Sequence, residues 1–140
     1  MRFAGRMFKA DRFWAIEIPI LGVATQGRTR AEACDMVVDA LETLVHRRGF
    51  RAHLHRGTNG YIEVSANDPV PLVALLLRRL RARHHLSLCE VARRLGATSH
   101  NAYARYEQGA SIPTVAMLHR LIQAVSPEKD FVLSESRSAS

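Results

Sequence analysis

Residues 2–9 alternate weakly, with Phe3, Gly5 and Met7 set against Ala4, Arg6 and Phe8. Residues 12–18 alternate again, Phe13, Ala15 and Glu17 against Trp14, Ile16 and Ile18. A period of two is that of a half-buried strand, and Ala10-Asp11 between the runs reads as a tight turn, so the pattern predicts a hairpin. Pro19 and Gly22 interrupt it before a short third strand over 23–25. The period then changes. Cys34, Val37, Val38, Leu41, Leu44 and Val45 recur at helical spacing over 29–48 and are expected to lie on the sheet. Thr29 with Glu32 forms a capping box at the start of this helix, and Arg47-Arg48-Gly49 closes it with a glycine cap. Cys34 reads there as a small buried hydrophobe rather than a nucleophile. Residues 50–55 alternate once more, Phe50, Ala52 and Leu54 inward and Arg51, His53 and His55 outward. Gly57-Thr58-Asn59-Gly60 turns the chain, and 61–65 returns as a strand. The fold class expected for 1–66 is therefore α+β, a small antiparallel sheet with one packed helix.

Asn67-Asp68-Pro69-Val70-Pro71 reads as a boundary, and beyond it every pattern is helical. A helix over 72–83 turns Val73, Leu76, Leu77 and Leu80 inward and leaves Arg78, Arg79, Arg81 and Arg83 more exposed. Within 86–109, Leu88, Val91, Ala92 and Leu95 form one stripe, and Gly96 ends it in the left-handed conformation open to glycine. Thr98 and Ser99 offer oxygens to cap a following helix, in which Tyr103 and Tyr106 turn inward and His100, Asn101, Ala104 and Arg105 outward. Ile112-Pro113-Thr114 opens a last helix with Val115, Leu118, Leu121, Ile122 and Val125 apolar. The expected organisation is thus 1–66 α+β, 70–133 all-α, and a disordered serine-rich tail over 134–140.

Charge sharpens the second half. The chain carries a formal +7, and from Arg78 to Arg120 eight arginines stand against only Glu90 and Glu107. Such a field favours a polyanion. Helix, turn, helix within 86–109 resembles the lambda-repressor-like regulators, whose second helix enters the major groove. In that arrangement Arg78, Arg79, Arg83, Arg93 and Arg94 would hold phosphates, Ser99 would cap the recognition helix, and His100, Asn101 and Arg105 would read base edges. Two copies are needed to span half-sites, so at least a homodimer is expected.

Other chemistries find little footing. Glu17 and Glu63 are the only strand carboxylates that could share a metal, and His53 with His55 lacks a third ligand, so no enzyme activity, metal or cofactor is expected. Cys34 and Cys89 have no zinc or disulfide spacing. The start lacks the apolar core of a signal peptide and no apolar run approaches ~20 residues, which suits a cytoplasmic protein without a membrane span.

The whole chain resembles a HicB-type antitoxin with a C-terminal helix-turn-helix. In the first half the resemblance rests on Phe13-Trp14-Ala15-Ile16-Glu17-Ile18-Pro19, Thr25-Gln26-Gly27, and a helix from Thr29 with Glu32-Ala33. In the second it rests on Leu95-Gly96-Ala97, Ser99-His100-Asn101-Ala102-Tyr103 and Tyr106-Glu107-Gln108-Gly109. The resemblance implies a partial ribonuclease-H-like first domain that masks a HicA-like mRNA-cleaving toxin, and a repressor domain that binds the operator of its own operon. A basic toxin should meet carboxylates, and Asp11, Trp14, Glu17 and Glu32 are the candidate contacts, with Asp35, Asp39 and Glu42 also available. The alternative is a stand-alone transcriptional regulator whose first half senses a ligand or dimerises.

Overall fold

The computed structural model describes residues 1–97 and 99–138. Thr98, one of the two cap candidates, and the last two residues of the tail lie outside the described residues. The chain divides into two compact units: Met1–Leu72 with the segment from Ser134, and Val73–Leu133.

In the first unit, strands β1 (Phe3–Ala10) and β2 (Phe13–Ile18) form the expected hairpin, with Asp11 at φ 55 in its turn. A short 3-10 helix, Pro19–Leu21, leads into β3 (Val23–Gly27), which runs to Gly27 rather than Thr25. Helix α1 (Arg30–Val45) follows, then β4 (Ala52–Arg56) and β5 (Tyr61–Ala66). The five strands pair antiparallel in the order β3-β2-β1-β5-β4, so both hairpins meet at the β1–β5 pair. Opposed residues share a face in such pairs. The registers Gly5↔Ile62, Met7↔Ile16, Ile16↔Thr25 and Leu54↔Val64 therefore gather one apolar face, over which α1 lies against β2, β3 and β4.

Ile16, Ile18, Ile62 and Val64 of the sheet and Ala33, Val37 and Leu41 of α1 are all fully buried, each large side chain contributing about 1.5–3 kcal/mol. The seam of α1 runs through Ala33 rather than Cys34, which is half-buried and whose thiol is pushed up by burial. Thr29 caps α1 as expected, accepting from Glu32 N–H at 3.0 Å, but the Glu32 carboxylate reaches back to Arg28 N–H. The far end departs from expectation. α1 stops at Val45 because His46 takes the left-handed conformation (φ 48) and donates its N–H to Glu42 carbonyl, so Gly49 is not the cap. The Gly57–Gly60 turn is clamped to β1 by Met7 N–H donating to Gly60 carbonyl at 2.7 Å. A Cβ on Gly60 (φ +78) would lie 2.3 Å from the Met7 carbonyl oxygen, so no other residue fits there.

On the opposite face, Glu63 is buried and its carboxylate accepts from four donors: Ser136 Oγ, Arg137 N–H at 3.2 Å, Tyr61 Oη at 3.0 Å and Arg2 Nη1 at 3.2 Å. Burial alone would raise this carboxyl, but the hydrogen bonds outweigh it and bring its pKa to about 2. The segment read as a disordered tail is thus tied, at Ser136 and Arg137, to the sheet.

The second unit is helical. Helix α2 spans Pro69–Arg83, so it starts within the expected boundary at 67–71, the two units divide after Leu72 in its first turns, and Asp68 Oδ1 accepts from Val70 N–H at 3.0 Å. Its run from Leu72 to Leu77 is buried on every side, as is Leu80. Helices α3 (Leu88–Arg94), α4 (His100–Glu107) and α5 (Val115–Val125) complete the unit. Val91, Leu121 and Val125 are fully buried, whereas Val115 is exposed at the first turn of α5. No helix among the described residues is long and apolar enough to cross a membrane.

Candidate nucleic-acid interface

Helix α3 is short, and its ends are tightly specified. Ser87 Oγ accepts from Glu90 N–H at 3.1 Å while Glu90 Oε2 accepts from Ser87 N–H at 2.7 Å, a reciprocal capping box. At the other end Gly96 (φ +74) lets Ala97 N–H reach Ala92 carbonyl at 2.9 Å and Gly96 N–H reach Arg93 carbonyl at 3.0 Å. These two bonds are a Schellman motif. Helix α4 ends the same way on Gly109 (φ +72), with Ala110 N–H on Arg105 carbonyl and Gly109 N–H on Tyr106 carbonyl. Both helices of the pair are therefore closed by the one residue type that enters αL without strain.

Ser99, in extended backbone, caps α4 by accepting from Asn101 N–H at 3.2 Å. Tyr103 is fully buried and Tyr106 half-buried, as expected. Burial pushes the Tyr103 phenol up. Ala104, expected outside, is buried instead: one turn after His100, it lies on the flank shared with Tyr103 and Glu107. The exposed positions are His100, Asn101, Ala102, Arg105 and Gln108. At roughly 100° per residue, Asn101, Arg105 and Gln108 fall within about 60° of one another at the centre of that surface. His100 sits at its edge, its Nδ1 3.9 Å from Cys89 Sγ on α3. Arg105 is steadied by its Nε donating to Ser111 Oγ at 3.2 Å. Gln108 is a further candidate that sequence reasoning passed over, although it stands one turn beyond Arg105.

The support beneath this surface is an ion pair. Arg81 is not among the exposed arginines: its Nε and Nη2 donate to both oxygens of Glu107 at 2.6–3.1 Å, and its Nη1 donates to Leu86 carbonyl at 3.0 Å. The fork joins α2 to the end of α4, and donating to the Glu107 carboxylate raises the Arg81 pKa. With Glu107 so engaged and Glu90 capping α3, neither acid of the arginine-rich stretch opposes a phosphate at the surface. Arg83 and Arg93 are exposed, and Arg78 and Arg79 are half-buried on α2. Arg94 differs from expectation: its Nη1 donates to Ala124 carbonyl at 2.9 Å, holding the end of α5, as Arg120 Nη2 holds Leu95 carbonyl.

The residues expected to grip a second macromolecule are divided between the two faces of the sheet and the start of α1. Asp11 is in the hairpin turn, Glu17 pairs with Arg6 at 3.3 Å on the outer sheet face, Trp14 points to the α1 face, and Glu32 opens α1. Glu17 and Glu63 stand on strands separated by β1, each already bonded to arginine. His55 Nε2 shares a hydrogen bond of 2.8 Å with Ser65 Oγ, and among the described residues no three His, Cys, Asp or Glu side chains are grouped to hold a metal ion.

No curated protein matches the chain. Residues 72–126 match the family described as a helix-turn-helix domain, which supports α3 and α4 as the paired helices of a DNA-binding unit.

Proposed function

We propose that the chain is the antitoxin of a type II toxin–antitoxin pair: its helix-turn-helix represses its own operon as a homodimer or larger assembly, and its first unit, a partial ribonuclease-H-like layer, masks a HicA-like mRNA-cleaving toxin. The observation that carries the DNA-binding half is the outward surface of α4, where a Ser99-capped helix presents Asn101, Arg105 and Gln108 with no carboxylate beside them. Asn and Gln pair bidentately with adenine and Arg with guanine in the major groove. Arg83 and Arg93 supply phosphate contacts that position the helix without reading sequence.

The toxin-masking half is supported by α1. Glu32, Asp35, Met36 and Asp39, at i, i+3, i+4 and i+7, share its solvent face, and Met36 is exposed to 44%. An apolar centre flanked by carboxylates complements a basic ribonuclease. Glu42 is not available there, since its Oε1 accepts from Ala52 N–H at 3.1 Å.

Fluorescence anisotropy on the DNA upstream of the gene tests the first half. Asn101→Ala should weaken the preferred fragment by roughly 1–3 kcal/mol and scrambled DNA little. An equal loss on both shows that Asn101 does not read bases. Copurification with the product of the neighbouring gene tests the second half: Asp35→Lys with Asp39→Lys should abolish it, and retention removes α1 from the contact.

A further inference from the structure

At the end of the sheet where the β4–β5 turn meets β1 there is a cleft of about 400 Å³, within the range of about 300–1,000 Å³ usual for small-molecule sites. Met7, Ile62 and the Trp14 indole line it with two arginines, Arg30 and Arg56; Tyr61 also borders it, but its hydroxyl is turned to Glu63 on the opposite sheet face. The sequence places each of these by a simple rule. Arg56 is opposite Ile62 in the β4–β5 register, so it continues the inward series Ala52, Leu54 just where the strand runs out from the apolar face. Trp14 is opposite both Lys9 and Gly27, and Arg30 is the first residue of α1 after that strand ends.

Charge is what sets the cleft apart. The Arg30 guanidinium lies 4.3 Å from the Trp14 ring centroid and the Lys9 ammonium 5.3 Å from it. Among the described residues no carboxylate lines the cleft. Among the described residues neither Arg30 nor Arg56 forms an ion pair or a hydrogen bond through its side chain. The nearest acids by sequence are engaged elsewhere, Glu32 on Arg28 N–H and Glu63 on its four donors across the sheet. Guanidinium forks match carboxylate and phosphate groups bidentately, and an indole offers a flat apolar face beside them.

We propose that this cleft binds a small organic anion, with a planar body against Trp14 and a carboxylate or phosphate held by Arg30 and Arg56. The site is independent of the DNA and toxin proposals, and its test contains neither. The full-length chain is titrated by calorimetry and by the emission of Trp14, its one tryptophan, with adenosine monophosphate and benzoate as anionic probes and adenosine and benzamide as their neutral counterparts. At least one anion should saturate at millimolar concentration or below and perturb Trp14, its neutral counterpart binding about tenfold more weakly or worse. Which anion saturates identifies the head group as phosphate or carboxylate. Arg30→Gln and Arg56→Gln, both at exposed positions, should each weaken binding about tenfold. Arg47→Gln, which removes the same charge just beyond the other end of α1, should leave binding unchanged. Failure of both anions to saturate, or an Arg47→Gln loss equal to that of the cleft variants, overturns the proposal.

Discussion

Replacing Glu107 by glutamine isolates the contribution of the Arg81–Glu107 fork to the helix-turn-helix. The side chains are 24% and 6% exposed, and three N···O contacts of 2.6–3.1 Å join them. Removing one partner of a buried pair costs about 3–5 kcal/mol because the other charge is stranded. Arg81 is partly reached by water and still donates to Leu86 carbonyl, and glutamine keeps one acceptor, so the expected loss is nearer ~2 kcal/mol. For a unit of about 60 residues that lowers the midpoint by roughly 8–16 °C. Far-ultraviolet ellipticity during heating follows the helices, while Trp14 emission follows the sheet unit in the same sample. The ellipticity transition should move and the emission transition should move less. Arg81→Met combined with Glu107→Leu should recover most of the loss, since apolar replacement of both partners removes the stranded charge. A Glu107→Gln shift below about 0.5 kcal/mol, the ordinary size of an exposed substitution, would refute the claim that this fork holds α4 in place, as would strict additivity of the two substitutions.

Two further outcomes follow from the local geometry. Gly96→Ala meets no atom within 4 Å, so its cost is purely that of φ +74, about 1–2 kcal/mol; urea titration should show that loss, and a neutral result would mean the α3–α4 turn can relax. The Glu63 carboxyl, with its folded pKa near 2 against an ordinary 4.5, stabilises the first unit above pH 4.5, and that stabilisation disappears as pH falls toward 2. Glu63→Gln should flatten the acid limb of the Trp14 unfolding midpoint against pH, and an unchanged limb would assign acid sensitivity to other carboxylates.

Much of this was legible because it is written locally. Alternation in 2–9, 12–18, 50–55 and 61–65 located four strands, and burial of Phe50 and Ala52 follows the expected parity. Ser99 and the glycines at 96 and 109 announce helix ends because capping and αL chemistry act over a few residues. The Ser87-x-x-Glu90 box carried the same kind of signal and was passed over. Two features had no local trace. His46 closing α1 ahead of Gly49 depends on where Phe50 must turn into the core, and Arg81 with Glu107 are 26 positions apart, so only packing of α2 against α4 makes one the partner of the other. The same long-range effect dispersed Asp11, Trp14 and Glu17: consecutive strand positions face opposite ways, so a list of nearby acidic and aromatic residues is not a surface.

The first unit separates its charges along α1, and this bears on what each end can recruit. Its exposed flank carries Glu32, Asp35 and Asp39 around Met36, whereas its first residue, Arg30, turns away toward Trp14 and joins Arg56 and Lys9. At physiological ionic strength the Debye length is about 8 Å, so Asp39, roughly 13.5 Å of helix rise from Arg30, is screened from it, whereas Glu32 and Asp35, roughly 3 and 7.5 Å along, are within reach. What separates the two regions is direction: the carboxylates lie on the exposed flank of α1 and Arg30 is turned to Trp14. A basic protein seated on the acidic flank would still leave the arginine cleft open to a small anion. Salt should accordingly weaken both contacts, but substitutions at Asp35 and Asp39 should leave anion affinity in the cleft unchanged, while Arg30→Gln should leave protein capture unchanged. A measured coupling between the two would show that they form one site.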